Sequence, residues 1–132
     1  MFLLDTNICI YLINQKPARV LDRLTETDPR DIGISAVTFA ELDYGVAKSR
    51  DVEANRHALT LFVAPLEVFP FDVAAAGAYG GLRTQLERKG RPIGGMDLMI
   101  AAHALALEAV LITNNTREFA RIPGLRIENW AR

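Results

Sequence analysis

The sequence predicts an α/β fold in which a central parallel sheet of four to five strands carries helices on both faces. Three observations lead there. Short apolar runs alternate with longer segments of helical period, the order that strand–helix–strand units produce. Phe2-Leu3-Leu4 and Ala109-Val110-Leu111-Ile112 are wholly apolar, which suits strands covered on both faces. The chain has 132 residues, without internal repeat, linker or low-complexity segment, so residues 1–132 form one domain around one sheet.

The elements follow in order. Phe2-Leu3-Leu4 is a strand closing on the polar turn Asp5-Thr6-Asn7, and Ile8 to Ile13 continues as an apolar helix. Pro17 opens a second helix, Ala18 to Glu26, with Val20, Leu21 and Leu24 at helical spacing. Asp28-Pro29-Arg30-Asp31 breaks it, and Ile32-Gly33-Ile34-Ser35 is the second strand. Helices are expected over Val37 to Lys48 and over 52 to 64, the latter ended by Pro65. Leu66-Glu67-Val68-Phe69 is a third strand, stopped by Pro70. The Ala-rich stretch Val73 to Arg88 has strong helical propensity, and Gly90 closes it. Gly94-Gly95 precedes a helix from Met96 to Glu108, then a fourth strand, Ala109-Val110-Leu111-Ile112, ends at Thr113-Asn114-Asn115. A short helix at 116 to 121 leads to Leu125-Arg126-Ile127 as a fifth strand.

Composition narrows the class. No apolar run approaches the roughly 20 residues of a membrane span, and the first residues carry no basic region of the signal-peptide kind. The single cysteine, Cys9, rules out an internal disulfide and a multi-cysteine zinc site. A cytoplasmic protein is expected. Fifteen Lys and Arg against sixteen Asp and Glu give a net charge of −1, so no whole-molecule basic field points to nucleic acid.

Ligands bind an open parallel sheet at the carboxyl ends of its strands, where the following helices begin. Asp5 directly follows strand one, Glu41 lies early in the helix after strand two, Asp97 lies in the first turn after Gly94-Gly95, and Glu118 opens the short helix after strand four. Structural roles compete for some of them. Thr38-Phe39-Ala40-Glu41 matches a capping box, Asn115-Thr116-Arg117-Glu118 nearly does, and a helix N-terminus favours an acid such as Asp97 for its dipole alone. Asp5 and Asp97 stand in apolar surroundings, where an unpaired carboxylate is costly and a shared cation would offset the cost. An all-oxygen set without His or Cys selects Mg²⁺, or Mn²⁺, over zinc.

The histidines and the cysteine fit that choice. His103 follows Asp97 by six positions, about 240° around the helix, and so faces away from it as a covered or partly exposed helix residue. His57 has no acid at ligand spacing, and Cys9 reads as core. Thr6, Asn7, Thr113 and Asn115 are placed to position ligands or a phosphate, or to serve as turn and cap residues. Arg88, Lys89 and Arg91, upstream of Asp97, are the first candidates for phosphate binding, with Arg117 and Arg121 as the alternative; a solvated helix end competes with that role.

Leu3-Leu4-Asp5-Thr6-Asn7, Ser35-Ala36-Val37-Thr38-Phe39-Ala40-Glu41-Leu42, Gly94-Gly95-Met96-Asp97-Leu98-Met99-Ile100-Ala101 and Leu111-Ile112-Thr113-Asn114-Asn115-Thr116-Arg117-Glu118-Phe119 together resemble the PIN-domain VapC toxins, as does the ending Ile122 to Trp130. The resemblance runs nearly end to end. It implies a PIN-like sandwich and an Mg²⁺-dependent endoribonuclease acting on structured RNA such as tRNA. It also implies a homodimer neutralised by a VapB-like antitoxin, which binds DNA and blocks the site, so that DNA is contacted only through the antitoxin. The family's first three acids correspond to Asp5, Glu41 and Asp97. The turn after strand four has no Asp, so the fourth negative charge falls to Glu118, as a direct ligand or through water.

Two other readings compete. A haloacid-dehalogenase-like phosphatase also starts with an Asp after strand one, but it needs a second Asp where this chain has Asn7. A non-catalytic PIN-fold interaction module would be expected to have lost one of the four acids.

Overall fold

The computed structural model describes residues 1–132. Five strands, β1 (Phe2–Leu4), β2 (Ile32–Ser35), β3 (Glu67–Phe69), β4 (Val110–Ile112) and β5 (Ile127–Glu128), form one sheet in the order β3-β2-β1-β4-β5. Every neighbouring pair is parallel. The chain moves outward from β1 through β2 to β3, then crosses back to β4 on the other side of β1. The order reverses at β1/β4, and the crevice beyond those two strand ends is where such sheets bind ligands.

Eight helical segments connect the strands: α1 (Thr6–Asn14), α2 (Ala18–Thr25), a 3₁₀ turn (Pro29–Asp31), α3 (Ala36–Ala47), α4 (Val52–Val63), α5 (Val73–Arg88), α6 (Gly95–Leu107) and α7 (Thr116–Phe119). Because side chains alternate along a strand, Leu3 and Leu111 face a core built with α5, α6 and α7. Leu4 and Ile112 face the opposite core, with α1, α2, α3 and α4. Trp130 closes this second core, fully buried and edge-on to Phe2. No helix is long and apolar enough to cross a membrane.

The differences from the sequence reading are at element ends. α1 begins at Thr6, not Ile8, because Asp5 caps it. β5 lies at Ile127–Glu128, two residues later than its expected start, since Leu111 N–H and Thr113 N–H bond to Arg126 and Glu128 carbonyls. Gly90 ends α5 as expected, in the left-handed region at φ 64°. Gly33 has a different reason to be glycine: a β-carbon there would stand 2.9 Å from the Glu67 carbonyl and 2.5 Å from the Phe69 ring. Its absence lets β3 close against β2 and carries Phe69 over the helix α6 side.

Candidate active site

Asp5 leaves β1 with its backbone N–H donating to the Ile112 carbonyl at 3.0 Å, which binds it to the end of β4. Its side chain caps α1 by accepting the Ile8 N–H at 2.9 Å. It is only 4% exposed. Its carboxyl is raised to about 6, chiefly by burial; hydrogen bonds from the Thr113 hydroxyl and Ile8 N–H oppose the rise, and the charges of Asp97 and Glu41 add to it. A carboxylate with one firm cap bond therefore remains short of compensation.

Glu41 is not a capping residue. Ser35 caps α3, its hydroxyl accepting the Val37 N–H at 3.0 Å, so the helix starts before Thr38 and a box from Thr38 to Glu41 has no helix end to cap. Glu41 lies in the second turn, and its Oε1 accepts the Thr6 hydroxyl at 2.6 Å. The same hydroxyl reaches the buried Thr38 hydroxyl at 3.4 Å. Thr6 thus ties α1 to α3 through Glu41.

Asp97 is in the first turn of α6 and partly buried. Burial raises its carboxyl above the ordinary range, and Glu118 and Glu41 add to the rise. Glu118 also escapes its capping-box reading. Asn115 stands at the start of α7 but caps nothing with its side chain; its amide donates to Glu118 Oε2 at 2.8 Å. Oε1 accepts the Gly94 N–H at 3.3 Å, joining α7 to the start of α6. Thr113 is buried, and its hydroxyl accepts the Asn115 N–H at 2.9 Å, shaping the turn after β4. Asn7 is exposed on α1.

The four acids expected at one sheet edge do meet there, near enough for their charges to raise Asp5 and Asp97. They ring a mouth and do not close a cage: no three His, Cys, Asp or Glu side chains stand at ligand spacing. Mutual repulsion of carboxylates with no counter-charge favours such an open arrangement. The donor set is all oxygen, and its two most buried members are raised first by burial and then by neighbouring carboxylates, a cost that a bound cation would offset, so the residues fit a hard divalent ion.

Arg88 and Lys89 are exposed at the end of α5. Arg91 stands apart from them, sharing an open groove of about 580 Å³ with Arg117 and Arg121. His103 is 1% exposed, its Nδ1 2.7 Å from the Ser35 hydroxyl and its ring between Phe69 and Phe71 edges. Cys9 is fully buried core, and His57 is exposed on α4. The sequence reading missed the Ser35–His103 pair, whose members are 68 residues apart. It also missed the cap role of Asp5, although Asp followed three residues later by a helix residue is a visible signal.

Comparison with known proteins agrees with this architecture. The PIN domain family model matches residues 2–125. Ribonuclease VapC2 of Rickettsia felis is 47% identical over 131 residues, 98% of each chain. The tRNA(fMet)-specific endonuclease VapC of Shigella flexneri is 46% identical over 130 residues, again 98% of each. A chain of the Rickettsia felis VapBC2 complex, crystallised with a DNA fragment from its promoter, superposes with a TM-score of 0.93 at 46% identity, over 98% of each chain. The phosphatase and non-catalytic readings fall away: matched over nearly all its length, this chain belongs to the PIN-domain family, as a VapC-type endoribonuclease toxin.

Proposed function

We propose that this ribonuclease cuts structured RNA such as tRNA with the help of Mg²⁺, for which Mn²⁺ can substitute, and that a VapB-like antitoxin holds it in check. The observation that carries the metal is Asp5, buried beside like charges with its carboxyl raised to about 6. Asp5 and Asp97 would hold the ion directly, with Glu41 and Glu118 as ligands or water-mediated partners. A bound divalent ion supplies Lewis acidity and an ionised water for in-line attack at phosphorus.

The chain's own groups do the rest. Thr6 engages Oε1 of Glu41 and leaves Oε2 free to accept a proton from the attacking water. Glu118 fixes the start of the Asp97 helix through the Gly94 N–H. The deep setting of Asp5 keeps bulk water from screening its charge. Asn7, exposed on α1, is available to orient the scissile phosphate, while Thr113 and Asn115 hold the turn after β4 and the Glu118 carboxylate.

The partner assignments rest on relatives. The Rickettsia felis structure is a VapBC2 complex on promoter DNA, and the Shigella flexneri relative is named for tRNA(fMet). By analogy this chain meets DNA only through its antitoxin and works in the cytoplasm. Exposed Tyr44, Leu61 and Val73 supply apolar surface for assembly as a homodimer.

The test is cleavage of bulk bacterial tRNA by purified protein. Mg²⁺ or Mn²⁺ should support it, EDTA should stop it, and Asp5→Asn should abolish it. Independently of activity, Mg²⁺ should raise the denaturation temperature of the wild type and leave that of Asp5→Asn unchanged. Full cleavage in EDTA would sink the metal assignment.

A further inference from the structure

We infer that the groove between the Gly90–Pro92 loop and α7, walled by Arg91, Arg117 and Arg121, seats phosphate groups of the substrate strand beside the acid mouth. This rests on the ribonuclease reading above and specifies which cations serve it. The three guanidinium groups come from two segments far apart in sequence and share one open groove of about 580 Å³. All three are exposed. None forms an ion pair: the four in the molecule use Arg23, Arg30, Arg56 and Arg83.

The one acid on α7, Glu118, is occupied elsewhere, by the Gly94 N–H and the Asn115 amide. Three unpaired cations therefore gather in a protein whose net charge is −1. Like charges repel, so such a cluster raises the energy of the free protein unless an anion joins it. Guanidinium forks match phosphate oxygens in pairs, and they stay charged at any working pH.

Position links the groove to the chemistry. Arg117 precedes Glu118 directly, and Pro92 lies two residues before Gly94, whose N–H Glu118 holds. Groove and acid mouth thus share α7 and the loop before α6 as a common wall. The lining argues for phosphate over a protein segment, because Ala120 is its only aliphatic side chain apart from the Pro92 ring, and an acidic peptide would find no apolar anchor. Arg88 and Lys89, next to Arg91 in sequence, stand outside its walls.

The experiment compares two triple variants of equal charge change. Arg91→Gln/Arg117→Gln/Arg121→Gln removes the groove; Arg19→Gln/Arg50→Gln/Arg132→Gln removes three scattered exposed arginines. Binding of bulk bacterial tRNA is measured across a salt series in an Asp5→Asn background, and cleavage kinetics are measured with Asp5 intact. Loss of the groove should flatten the slope of log affinity against log salt by about 2 and raise KM about tenfold at 0.1 M salt. kcat at saturating RNA should stay within about twofold. The scattered variant should change the slope by less than half as much.

Equal slopes for the two triples would overturn the proposal. So would a groove variant that keeps RNA affinity and loses only its affinity for the antitoxin, since the groove would then belong to a protein partner. If the wild type binds tRNA through the groove yet never cleaves it with either metal, the ribonuclease reading fails and the groove stands as an RNA site.

Discussion

Asp5 and His103 are both buried, both titratable and both hydrogen-bonded at the start of a helix, yet their environments act on them in opposite ways. His103 is a neutral ring whose Nδ1 meets the Ser35 hydroxyl and whose flanks meet aromatic edges. Burial holds it below its ordinary 6.5, slightly opposed by Asp72, so it stays neutral at pH 7 and needs no counter-charge. Asp5 is charged at pH 7, and its hydrogen bonds do not offset burial beside Asp97 and Glu41. A buried neutral group is satisfied by one partner; a buried charge among like charges is not. Unsatisfied charge, and not burial, separates the candidate site from the core.

The two groups also bend stability with pH in opposite directions. For Asp5 the folded carboxyl titrates near 6 against an ordinary 3.8. Between those values the folded state holds more protons, so stability falls as pH rises through the window. For His103 the folded value lies below 6.5, so the unfolded state holds more protons and stability falls as pH drops below 6.5. In the wild type these slopes oppose one another.

The largest expected effect breaks the comparison from the Asp5 side. Asp5→Asn keeps an N-cap residue, and cleavage should drop on the order of 10³–10⁴-fold. Urea unfolding of the metal-free variant at pH 7.5 should nevertheless show a gain of up to about 2–3 kcal/mol, with the His103 slope then opposed by Asp97 and no longer by Asp5. Asp5→Ala should keep less of that gain, because the lost cap costs about 0.5–2 kcal/mol. A destabilised Asn variant would mean that the carboxylate is structural.

Glu41→Gln should lose about 10²-fold in cleavage with unchanged stability, since Ser35 and not Glu41 attends the start of α3. Normal kinetics together with a lower melting temperature would return Glu41 to a structural role. His103→Leu sharpens the contrast from the other side. It leaves the Ser35 hydroxyl without its ring partner and should cost about 1–3 kcal/mol, while kcat stays within about twofold of wild type. Its stability should then fall monotonically from pH 4 to pH 6, the signature of the raised Asp5 and Asp97 carboxyls without the opposing His103 slope. Glu118→Gln should give the smallest change, a loss of a few-fold in kcat/KM, because the amide oxygen still accepts the Gly94 N–H. A total loss there would promote Glu118 to a direct ligand.

Much of this was legible before any coordinates. The apolar runs placed the first four strands, and the strand and helix starts placed Asp5, Asp97 and the turn before Glu118 at one edge. Cys9 in the core followed from its apolar helix, and His103 away from Asp97 followed from helical spacing. Glu41 was ambiguous because Thr-x-x-Glu is also a cap pattern; only the cap by Ser35 and the bond from Thr6 remove that alternative. The basic cluster is divided in space for a similar reason. Arg88, Lys89 and Arg91 are neighbours in sequence, whereas Arg91 shares its groove with residues that follow β4.

By itself, then, the sequence determined what depends on a few neighbouring residues: strand and helix order, the glycine that ends α5, the apolar faces and the acids that follow them. Each is set by local period, backbone freedom or desolvation. The tertiary structure alone decided which distant groups meet. Thr6 reaches Glu41 across 35 positions, Asn114 reaches Tyr11 across 103, and Glu118 reaches Gly94 across 24. Those pairings exist because two cores pack α1 and α3 on one face of the sheet and α6 and α7 on the other. Hydrogen bonds and charges act over a few ångströms of space, and no spacing along the chain measures that distance.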